Sequence, residues 1–161
     1  MTEAAFVTRF EDAYHQLKNS FIRYLVENSE PEVREDFDRR AMALYEDWDR
    51  ELRQGQTAVA DLLAEEDVVP STSSFPIGFS TFNFLSPGYL LRHVLEKTKA
   101  EIEALAAVAK DIEAWPRAAE LLKALVRRQE GFVERARKLD ADRPKEPAAP
   151  PRIKGTSASR W

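Results

Sequence analysis

From Val68 to Leu91 the chain carries no charged residue. Asp, Glu, Lys and Arg make up 32% of the whole sequence, so a neutral stretch of this length narrows the folds open to it. It reads Val-Val-Pro-Ser-Thr-Ser-Ser-Phe-Pro-Ile-Gly-Phe-Ser-Thr-Phe-Asn-Phe-Leu-Ser-Pro-Gly-Tyr-Leu-Leu. Its prolines, glycines and hydroxyls forbid a continuous helix. Its four phenylalanines, Phe75, Phe79, Phe82 and Phe84, forbid a solvated linker. Long irregular connections inside compact domains need a reason, and the economical one is a crossover that runs the length of a helical bundle and lays its aromatics over it. Either this bundle or a second copy of it should bury the four rings, because exposed together they form a patch that soluble monomers seldom carry. A homodimer through the connector is therefore one expected arrangement.

Helical periodicity fills the rest. Phe6, Phe10, Tyr14, Leu17, Phe21 and Leu25 recur at three- and four-residue steps and predict a first helix. Asn28 and Ser29 interrupt it. Ser29-Glu30-Pro31-Glu32 then reads as a helix start, with Ser29 as cap and Glu32 in capping-box position. The second helix should turn Val33, Phe37, Ala41, Leu44, Tyr45, Trp48, Leu52, Val59, Leu62 and Leu63 inward. Gly55 lies on the same stripe and points to close helix approach. Ser86-Pro87 opens a third helix, with Leu91, Val94, Leu95, Thr98, Ile102, Leu105, Ala106 and Ala109 on its inner face. Trp115-Pro116 breaks the chain. A fourth helix follows on Leu121, Leu122, Leu125, Val126, Phe132, Val133, Ala136 and Leu139. The fold class is all-α: a four-helix bundle over residues 2–140, with a long aromatic crossover between the second and third helices.

Residues 141–161 differ. Four prolines fall between Pro144 and Pro151, no periodicity persists, and Arg143, Lys145, Arg152, Lys154 and Arg160 outnumber Asp142 and Glu146. This is expected to be a disordered, basic tail. Trp and Arg dominate small interfaces, so Arg152, Ile153, Lys154, Arg160 and Trp161 are candidate contacts for a protein partner.

Composition excludes several classes. With no cysteine, there is neither a disulfide framework nor a Cys-ligated zinc site. No apolar run approaches the roughly 18 residues of a membrane span. Met1-Thr2-Glu3-Ala4 lacks the pattern of a secretory signal, which predicts a cytoplasmic protein. The net charge of −4 and the interruption of each Arg cluster by acids argue against nucleic-acid binding.

Catalytic patterns are sparse. The five glycines are scattered and form no phosphate loop. Ser71 to Ser74 supply hydroxyls, but no histidine is placed by local sequence to activate them. Four helices with a long connection between the second and third resemble a ferritin-like bundle in outline. That outline invites a search for inward Glu and Glu-x-x-His ligands. Neither His15 nor His93 lies three residues after a Glu. Glu46 should point about 160°, and Glu130 about 120°, away from their apolar stripes. Carboxylates such as those of Asp47-Trp48-Asp49-Arg50-Glu51 fit ion pairing along outer faces. Thr98 and Gln129 fall on apolar stripes, where they should bond to each other or to backbone.

The sequence thus predicts a non-enzymatic scaffold, adaptor or cargo-like protein, without cofactor, that acts through helix packing and tail docking. The rival expectation is a ferritin-like metal-binding oxidoreductase or storage protein with a degenerate or inter-subunit site.

Overall fold

The computed structural model describes residues 2–145. Within them the protein is all-helical: α1 (Glu3–Lys18), α2 (Phe21–Glu27), α3 (Asp36–Glu65), a 3-10 segment (Ile77–Phe82), α4 (Pro87–Asp111) and α5 (Pro116–Ala141). The expected count of four is corrected to five α-helices, because the first expected helix is two. Asn19 ends α1, and the Ser20 hydroxyl accepts from Arg23 N to open α2. The Glu101 carboxylate also accepts from Phe21 N at 2.8 Å. The apolar steps run on through the break, so Phe10, Leu17, Phe21 and Leu25 still share one core.

Ser29 proves to finish a helix where it was expected to begin one. Its buried hydroxyl donates to Leu25 O at 2.6 Å, and the chain turns at Glu30, whose φ is 49°. The next helix starts at Asp36, with Asp38 accepting from Glu35 N at 3.0 Å. Val33 consequently lies outside the helix and is exposed. From Phe37 to Leu63 the expected inward residues are all buried. Helix α3 passes through Gly55 unbroken. A Cβ there would stand 3.0 Å from Leu125 Cδ2, so this glycine permits the close approach of α3 and α5. Along α4 and α5, Leu91, Val94, Leu105, Leu122, Leu125 and Val133 are buried, but Ala106 is exposed.

The connector travels back along the helices. Near its start Ser71 and Ser73 bond to α1. Farther on, Phe75 packs on Tyr24, and Phe79 and Phe82 pack edge-on against Phe21, both at 5.1 Å between centroids. The Lys97 ammonium lies 5.2–5.8 Å from the ring centres of Phe21, Phe79 and Phe82, a distance at which ring faces attract a cation. At the far end Phe84 N donates to Ser29 O at 2.8 Å, and Glu32 N to Leu85 O at 3.1 Å. Helix α4 therefore begins beside the start of α3. Asp38 joins the two, accepting from Arg34 N, Glu35 N and Gly88 N at 3.0–3.1 Å. Burial works against the charge of Asp38, yet these backbone N–H groups hold its carboxyl below the usual range. Tyr45 completes the junction, its buried hydroxyl donating to Pro87 O at 2.7 Å. No helix of the described residues is long and apolar enough to cross a membrane.

Candidate functional site

An open cleft of about 460 Å³ lies where α3 and α4 begin side by side. Phe37 and Gly88 lie in it, Phe84 and Leu85 come from the end of the connector, and Arg143 to Lys145 come from the chain just past α5. Each part is held for a local reason. The Arg143 guanidinium sits 5.1 Å over the Phe37 ring and donates to Gly88 O at 2.9 Å and to Asp140. Gly88 is required there, since a Cβ would fall 2.7 Å from Phe37 Cδ1 and 2.8 Å from Asp38 Oδ1. Glu32 and Arg34 pair at 2.8 Å on the rim.

Phe84 stands apart from the other connector phenylalanines. Phe75, Phe79 and Phe82 are partly buried against the core, covered by this chain itself. Phe84 is 63% exposed, so of the two expected covers this bundle supplies one for only three of the four rings. Its φ is 64°, a left-handed conformation that a bulky side chain adopts at a cost of about 1–3 kcal/mol. Tyr89, which the sequence did not mark, is 59% exposed and lines the same cleft. The other expected partner contacts, Arg152, Ile153, Lys154, Arg160 and Trp161, lie outside the described residues.

A second polar group joins residues that local sequence kept apart. His15 Nδ1 is 2.7 Å from Ser73 Oγ, and His15 Nε2 is 3.2 Å from Ser71 Oγ and 3.4 Å from Glu11 Oε1. Ser71 donates both its N–H and its hydroxyl to Glu11. That backbone bond from Ser71 is the leading cause of a lowered Glu11 pKa. Ser73 Oγ also accepts from Asn19 at 2.7 Å, and Ser73 O accepts from Lys18. A serine beside a histidine is the beginning of a nucleophile pair. Here both hydroxyls fasten the start of the connector to α1.

Two further expectations change in detail. Thr98 and Gln129 do not bond to each other; Thr98 takes the expected backbone partner, whereas Gln129 takes a side chain. Thr98 donates to Val94 O, and Gln129 Oε1 accepts from the Trp48 indole N–H. Asp49, expected on a solvated face, is buried between Arg53 at 3.0 Å and Arg23 at 3.7 Å. Burial and neighbouring Glu27 push its carboxyl pKa up. Glu46 and Glu130 are exposed. Among the described residues no group of three or more His, Asp or Glu side chains is placed to hold a metal ion.

No protein-family model matches this chain, and no curated protein or solved structure matches it.

Proposed function

We propose that this protein is a non-enzymatic helical adaptor, a four-helix scaffold of α1, α3, α4 and α5 that docks a protein partner through its C-terminal segment and the adjoining cleft. The observation that carries this reading is Phe84. The chain holds a bulky aromatic at φ 64° and leaves it 63% exposed, although three neighbouring phenylalanines pack against the core. Strained residues concentrate where they are used, and an exposed aromatic beside arginine has the composition of an interface centre. Lys145, the last described residue, lines the same cleft. The partner is a protein segment with an apolar side chain for Phe84 and Tyr89 and a carboxylate for Lys145.

The test compares co-purification from the native host for the full chain, a chain ending at Lys145, and Phe84→Gly. Glycine relieves the left-handed strain, so Phe84→Gly should melt no lower than the parent while losing the partner. The truncated chain should likewise keep its helix content and lose the partner. Retention of every partner by both variants, or stoichiometric iron or manganese in the purified protein, would overturn the reading. A solution dimer that Phe84→Gly dissolves would name a second copy of the chain as the partner.

A further inference from the structure

Among α1, α2, α3, α4 and α5 lies a small, partly open cavity with about 30 Å³ of room for the centre of a water molecule. Leu17, Leu52 and Leu105 form part of its wall, and Gln16, Glu101 and Gln129 break the apolar lining. The orientation of one amide is fixed by chemistry. The Trp48 indole N–H only donates, so the Gln129 oxygen must face it and the Gln129 NH2 must face elsewhere. Gln129 is 4% exposed, and its Nε2 has no hydrogen-bond partner among the described residues. Gln16 Oε1 is also buried without a partner. Glu101 spends lone pairs on Phe21 N and has others left. An orphan donor, an orphan acceptor and a carboxyl on one small cavity are an unusual grouping, since nearly all buried polar groups are paired.

We propose that this cavity is a binding site for ordered water, one or two molecules that accept from Gln129 Nε2 and donate to Gln16 Oε1 and Glu101. Size and polarity both select this ligand. A water needs about 10–15 Å³ of such room and two to four polar partners. A cation would be repelled by the fixed NH2 of Gln129. An apolar guest would leave the amides unpaired. The bound water would tie Gln16 of α1 to Glu101 of α4 and Gln129 of α5.

The test uses the full chain in solution. Rotating-frame Overhauser transfer from water to the Gln129 NH2 and Trp48 indole protons should be present. Water-oxygen relaxation dispersion should report at least one long-lived molecule per chain, and Gln16→Leu should reduce that number. Xenon, which enters dry apolar cavities, should leave the Leu17 and Leu105 methyl signals unmoved. Absence of the transfer at Gln129, or xenon shifts at those methyls, would overturn the proposal. So would a Gln16→Leu variant that melts higher than the parent with the same count of long-lived waters.

Discussion

Glu101→Gln should make the protein more stable at pH 8 and leave its stability nearly unchanged at pH 4.5. Burial pushes the Glu101 carboxyl from its ordinary 4.5 up to about 7, against the opposing pull of the Phe21 N–H and Lys97. Between those two values the folded chain binds more protons at this site than the unfolded chain. Stability from this group therefore falls as pH rises through the window, and the full cost of burying the charge is present above about 7. A displacement from 4.5 to about 7 sets a ceiling of roughly 3 kcal/mol at about 1.4 kcal/mol per pH unit. The side chain keeps some solvent contact, which reduces the expected effect to about 1–2 kcal/mol. Glutamine retains an oxygen for Phe21 N and removes only the charge. Urea unfolding of both proteins at pH 4.5 and 8 gives the difference of differences, in which the other titrating groups cancel. The variant's advantage should grow by about 1–2 kcal/mol from the lower to the higher pH. No growth, or a variant that loses stability at pH 8, would refute the assignment of a buried, costly charge to Glu101.

Gly88→Ala should lower the melting temperature, with a cost of about 2–3 kcal/mol, because the added carbon meets Phe37 and Asp38 inside 3 Å and one of them must move. Lys97→Met removes the cation from three rings and should cost about 1 kcal/mol. Hydrogen exchange should locate that loss in Ile77–Phe82, with α3 and α5 protected as before; uniform loss of protection would place Lys97 in the core's stability and not in the connector's.

Sequence reading reached the helix faces because burial there follows a period that the residues display. The stripe from Phe37 to Leu63 and the role of Gly55 were legible for that reason; proline made the opening at Ser86-Pro87 and the break at Trp115-Pro116 legible. It missed the division at Asn19-Ser20 because Phe21 and Leu25 keep step across the break. Ser29 was misjudged because one hydroxyl serves either end of a helix, and the choice was made by Glu30's backbone and by Phe84 N, far along the chain. The candidate site was legible only in part. Three of four connector phenylalanines behave alike, whereas Phe84 is set apart by a backbone angle that no composition reveals. His15 meets Ser71 and Ser73 only after the connector has folded back, and nothing local announces it. Tyr89 carried a weak signal: an aromatic in the first turn of α4, off the apolar stripe.

The return of the connector to the end where α3 began has an electrostatic consequence. Helices α3 and α4 run in the same direction, so their macrodipoles reinforce each other, and two partial positive poles of about half a charge each meet at one corner. An antiparallel pair would have cancelled them. Asp38 stands at that corner as a shared counterion, taking N–H groups from the start of α3 and from Gly88 of α4. A tight turn in place of the connector would reverse α4, carry Gly88 to the opposite end of the bundle, and leave Asp38 with one pole instead of two.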